Sequence, residues 1–127
     1  MPKTEQQHRD DIIRVGRLIF DRGWIAANDG NITIRLGPNL ILATPTGVCK
    51  GMMSPDDLIL CDLDGNKISG ERERTSEMAM HLTIYKLRPE ITGVLHAHPP
   101  TATGFAPAGR ASLTRCPTTS AILGSFT

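Results

Sequence analysis

The chain has 127 residues, enough for one domain with a modest core and too few for two ordinary ones. Its 14 Lys and Arg against 13 Asp and Glu leave a formal net charge of +1 with no long run of either sign, so nothing in the composition points to nucleic acid or a membrane surface. The longest apolar stretches fall well short of the ~20 residues of a membrane helix, and the first residues are polar rather than signal-like, which makes the cytoplasm the expected location.

In chain order, Ile12, Val15, Leu18, Ile19 and Phe20 recur at helical spacing between about Thr4 and Arg22, with Gly23 as a stop, and predict an amphipathic first helix. The small polar turn Ala26 to Asn31 opens into Ile32-Thr33-Ile34-Arg35-Leu36, a β-branched strand. Gly37-Pro38-Asn39 turns the chain into a second strand, Leu40 to Ala43, as a hairpin. After the turn Thr44-Pro45-Thr46-Gly47, the segment Ser54-Pro55-Asp56-Asp57 has the form of a single-turn helix start. Leu58 to Cys61 and Lys67 to Ser69 read as further strands around the turn Asp62 to Asn66. Thr75 or Ser76 is the expected cap of a helix running towards Arg88, and Pro89 ends it. Ile91 to His98 reads as a strand, and Thr101 to Ala106 as the start of one more helix. From Ala111 to Thr127 there is no acid, one basic residue and seven Ser or Thr, and hydrophobic periodicity is absent. That segment, 111–127, is expected to be a loosely ordered tail after a domain over 1–110.

Two histidines in Val94-Leu95-His96-Ala97-His98-Pro99-Pro100 are the strongest chemical signal. Strand alternation puts both rings on one face with Ala97 opposite. Taken alone, such a pair is better explained as two half-buried histidines, hydrogen-bonded and inert. Pro99-Pro100 ends the strand and places the imidazoles at its mouth, which favours a metal; imidazole pairs suit zinc and its first-row neighbours. Thr75-Ser76-Glu77 is by itself a helix cap with an acid in the first turn. The same geometry offers amides and hydroxyls to a phosphate, with Glu77 as acid/base. Gly30-Asn31 and Thr46-Gly47 are ordinary turn residues or, together, parts of an anion site. Lys50 reads as a solvated lysine in preference to an anion partner, and His8 and His81 as structural. Cys49, Cys61 and Cys116 match neither a disulfide framework nor a paired-cysteine zinc motif and read as reduced structural thiols.

In order and spacing, the set Gly30-Asn31-Ile32-Thr33-Ile34-Arg35, Thr44-Pro45-Thr46-Gly47, Thr75-Ser76-Glu77 and His96-Ala97-His98-Pro99 resembles the class II aldolase/adducin family, from about Asp10 to Ala106. The resemblance implies an α/β/α sandwich around a mainly antiparallel sheet, usually assembled as a tetramer with sites near subunit contacts. It implies zinc, or another divalent ion such as Mn2+, Co2+ or Fe2+, acting on a sugar phosphate. By the same resemblance His96 and His98 match two metal ligands, Asn31, Thr46, Gly47, Thr75 and Ser76 match phosphate-binding positions, and Glu77 matches the catalytic acid/base. The implied reaction is retro-aldol cleavage of a ketose 1-phosphate through a metal-stabilised enediolate. Related sugar-phosphate 4-epimerases carry Asp where this chain has Glu77, which favours an aldolase; an epimerase relative and a non-catalytic, adducin-like assembly module are the alternatives. The family's third metal histidine belongs to a later His-His-Gly-like segment that this sequence lacks, and truncation or a shifted reading frame after Arg110 would produce such a break. Glu77, water, Cys116 or a residue from another subunit would then complete the metal site.

Overall fold

The computed structural model describes residues 1–101 and the backbone of Ser120–Gly124. Helix α1 spans Glu5–Asp21. Its start is fixed by a capping box: Thr4 Oγ1 accepts from Gln7 N–H at 3.2 Å, and Gln7 Oε1 accepts from Thr4 N–H at 2.8 Å. Ile12 and Ile19 are buried as the spacing requires, but Leu18 is 49% exposed, and Asp11 and Gly16 share the buried face instead. Gly16 is there because α1 lies directly on the backbone of residue 50: a Cβ at this position would stand 2.5 Å from Lys50 O.

Strands β1 (Asn31–Gly37) and β2 (Leu40–Ala43) form the expected hairpin, followed by a 3-10 turn at Pro55–Asp57. Strands β3 (Ile59–Cys61) and β4 (Lys67–Ser69) continue the meander. Helix α2 covers Met78–Leu87, and β5 (Gly93–Ala97) returns to pair with the free side of β1. The sheet order is β4-β3-β2-β1-β5-β6, and every pairing is antiparallel. Sequence periodicity set no strand after β5, yet Ser120–Gly124 form β6 along it, from Gly93 opposite Gly124 to Ala97 opposite Ser120. A short apolar run laid on an open ladder gains backbone hydrogen bonds that periodicity within the run does not reveal. The expected helix beyond Thr101, Cys116 and the rest of the tail lie outside the described residues.

Alternation splits the core in two. Ile32, Ile34, Leu42, Leu95 and Ala97 pack with Ile12 and Ile19 on the α1 face. Ile41, Ala43, Ile59 and Val94 pack with Met78, Leu82 and Tyr85 on the α2 face. This is the α/β/α sandwich around an antiparallel sheet that the resemblance implies. The α2 face also buries a polar network: Thr33 Oγ1 meets His81 Nδ1 at 2.8 Å and Tyr85 Oη at 2.9 Å, while Tyr85 Oη donates to Thr33 O at 3.0 Å. Arg35 donates to the carbonyls of Tyr85 and Pro89, locking β1 to the end of α2. No helix among the described residues is long and apolar enough to cross a membrane.

Candidate active site

His96 lies in β5 between Leu95 and Ala97, both of which belong to the α1-side core, so its ring is on the α2 face. Asn31, its partner in β1, is on that face too, and Asn31 Nδ2 stands 3.4 Å from His96 Nδ1. His98 was expected within the strand, but β5 ends at Ala97 because the His98 N–H turns away to donate to Trp24 O at 2.8 Å. The two rings nevertheless remain neighbours, with centroids 4.8 Å apart and planes tilted by 40°.

Helix α2 also starts later than expected. Thr75 Oγ1 accepts from Glu77 N–H at 3.2 Å, a local turn that puts Glu77 itself at the cap position and Met78 at the first helical residue. Thr75 is buried, whereas Ser76 and Glu77 are exposed. Among the described residues no hydrogen bond or ion pair engages the Glu77 carboxylate, which leaves it available to a ligand.

These segments are tied to one another at their ends. Thr46 N–H donates to Glu73 O at 3.0 Å, next to an isolated bridge between Pro45 and Arg74. Thr44 and Ile32 exchange two bonds, Thr44 N–H to Ile32 O and Ile32 N–H to Thr44 Oγ1. Lys50 Nζ donates to Asn28 O at 2.8 Å. The loops before β1, after β2 and before α2 therefore hold each other and the end of β5 in fixed register, the preorganisation that a binding constellation needs.

Together they enclose a cleft of about 320 Å³ lined by Asn28, Asp29, Gly30, Asn31, Thr46, Lys50, Thr75, Ser76, Glu77, His96 and His98. Every residue singled out in the sequence as a site candidate is among them except Gly47, which adjoins Thr46 outside the cleft, and Cys116, which lies outside the described residues. Lys50 was expected in solvent and is instead 2% exposed. Asn28 and Asp29 were not singled out; their only sequence signal is adjacency to Gly30-Asn31.

Electrostatics favour neutral imidazoles. Burial lowers the pKa of His96, and the His98 ring lowers it further, against an upward pull from Glu77 and Asp29. Deeper on the same face, burial brings His81 down to about 4. A neutral imidazole is the form that ligates a metal. Among the described residues His96 Nε2 is buried with no hydrogen-bond partner, as an atom that takes a ligand would be. The adjacent rings of His96 and His98 thus fit two ligands of one divalent ion. Glu77 does not join them as a third: among the described residues no group of three or more His, Cys, Asp or Glu side chains is placed to hold one ion.

Comparison with known proteins agrees with this architecture. The family model described as the class II aldolase and adducin N-terminal domain matches residues 10–125. Over 96 residues the chain is 41% identical to L-fuculose phosphate aldolase of Methanococcus maripaludis, covering 76% of this chain and 52% of that protein. Over 103 residues it is 37% identical to methylthioribulose-1-phosphate dehydratase of Pseudomonas fluorescens, covering 81% and 50%. Its fold matches YgbL from Klebsiella pneumoniae, for which aldolase, epimerase and decarboxylase are all named as candidate activities. The TM-score is 0.78 at 31% identity, covering 83% of this chain and 50% of that one. The chain spans about half the length of the curated relatives it matches. With the family match running through nearly the whole sequence and the sheet, helices and motif order in agreement, the chain belongs to the class II aldolase and adducin family.

Proposed function

We propose that the cleft is the active site of a divalent-metal-dependent lyase that cleaves a ketose 1-phosphate by a retro-aldol reaction. The observation that carries this reading is the convergence on one small cavity of a carboxylate with no partner among the described residues, two adjacent imidazoles and a set of hydroxyl and amide donors. Both curated relatives described above carry a phosphorylated sugar in their names, which supports a phosphate-bearing substrate.

Asn31, Thr46, Thr75 and Ser76 hold the phosphate, with donors from the loop after β2 and from the start of α2, where the helix dipole also favours an anion. Gly47, beside Thr46, shapes that loop. His96 and His98 would hold zinc or another divalent ion, which supplies Lewis-acid stabilisation of the negative charge that carbon–carbon cleavage leaves on the carbonyl side. Glu77, across the same cleft, takes the proton from the hydroxyl whose oxygen becomes the product aldehyde and returns one to carbon. The assembly is a homo-oligomer, a tetramer by family resemblance, located in the cytoplasm.

The test is turnover of a panel of ketose 1-phosphates by the purified chain with added Zn2+ or Mn2+. Metal-dependent release of dihydroxyacetone phosphate is expected, falling by about 10²–10⁴ in Glu77→Gln, the usual range for a lost acid/base group. A folded, metal-replete chain that turns over no member of the panel overturns the reading and favours a non-catalytic module of the same fold.

A further inference from the structure

Lys50 is the one Lys or Arg among the described residues that line the cleft, and its setting is not that of a structural or solvated lysine. The residue is 2% exposed, yet among the described residues its ammonium makes a single hydrogen bond, to the neutral carbonyl of Asn28, and takes part in no ion pair. An ammonium carries three donors, and a buried cation without a matching anion is costly to keep. The backbone that carries the side chain is held from behind, because α1 at Gly16 packs directly against Lys50 O. Burial lowers the lysine pKa, while the nearby Asp29 carboxylate and the Cys49 thiol pull it back up.

The remaining donors on the cleft wall, Asn31, Thr46, Thr75 and Ser76, are all neutral, and Asp29 and Glu77 are acidic. Among the described residues, a phosphate dianion entering this cleft would meet two carboxylates and no cation other than Lys50. We propose that Lys50 is a phosphate-binding residue, its buried ammonium serving as the charge partner that the neutral cradle lacks. This inference rests on the reading of the cleft as a phosphate site. It also gives a purpose to the Asn28 bond, which aims the ammonium while holding the loop that leads to Asn31.

The experiment is a titration of the full chain with inorganic phosphate at constant ionic strength, observed by NMR of 15N-labelled protein. The Lys50 Nζ resonance and the backbone amides of Thr46 and Ser76 are expected to shift together with one Kd. Lys50→Gln keeps a donor for Asn28 O but removes the charge, and is expected to weaken that Kd tenfold or more. Amides that shift while Lys50 Nζ stays still, or a folded Lys50→Gln chain binding within twofold of wild type, would overturn the role of Lys50 alone. If neither the amides nor Nζ respond, the phosphate reading fails and this role with it. Should Lys50→Gln not fold, the wild-type Nζ response decides.

Discussion

Gly30 joins the fold to the site, and replacing it separates two physical costs. It has φ +77° and lies one residue before the strand that carries Asn31. In Gly30→Ala the new Cβ would stand 2.7 Å from Ile25 Cγ2 and 2.8 Å from His96 O. The isoleucine methyl can rotate aside, but the His96 carbonyl belongs to β5 and cannot move without disturbing the β1–β5 pairing. Gly23 supplies the control, because its φ is +69° while a Cβ there meets nothing within 4 Å. Gly23→Ala therefore incurs only the left-handed backbone cost, about 1–2 kcal/mol. Gly30→Ala incurs the same cost plus an overpacking term of about 1–3 kcal/mol, for a total of about 2–5 kcal/mol. Urea unfolding followed by circular dichroism measures both; with a slope of about 1–3 kcal/mol per molar, the midpoint of Gly30→Ala should fall by at least ~0.7 M. Equal destabilisation of the two variants would refute the close approach of Gly30 to β5.

Stability should fall on acidification as His81 is forced to take up a proton. Its folded pKa of about 4 lies below the unfolded 6.5, so the unfolded chain binds more protons in that window and stability drops as pH falls from 6.5 to 4. The separation corresponds to about 3 kcal/mol, readable from urea midpoints across that range, and a flat profile would contradict it. Tyr85 is the only tyrosine in the sequence, so an ultraviolet titration reports it alone. Burial raises its pKa to about 12, and phenolate should appear only near that pH in the folded chain; ionisation at the ordinary value of about 10 would mean that the hydroxyl is not buried against Thr33. Tyr85→Phe should cost about 1–2 kcal/mol in urea unfolding through the loss of its bonds to Thr33, and a neutral result would show that the network adds no net stability.

Much of this arrangement is legible locally. The first helix, the hairpin and the 3-10 turn follow from spacing, Gly and Pro, because their determinants are neighbours in sequence. The His96 and His98 pairing was also legible, though the mechanism differs: the rings meet even though His98 lies past the strand, held by its bond to Trp24. What escaped depends on contacts far along the chain. Lys50 looks solvated in sequence and is buried, with its backbone against α1 and its ammonium on the Asn28 carbonyl. The Thr33, His81 and Tyr85 network links β1 to α2 across about half a hundred residues, and no periodicity encodes it. Strand β6 depends on an open ladder supplied by β5 rather than on its own pattern.

Whether the mouth of β5 is a metal-assisted site can be read by zinc titration calorimetry. Wild-type chain is expected to bind one Zn2+, with affinity lost by at least tenfold in His96→Ala and in His98→Ala, while His8→Ala on α1 binds as wild type does. Zinc binding that survives both cleft substitutions, or that falls only with His8→Ala, would mean that His96 and His98 do not hold the metal.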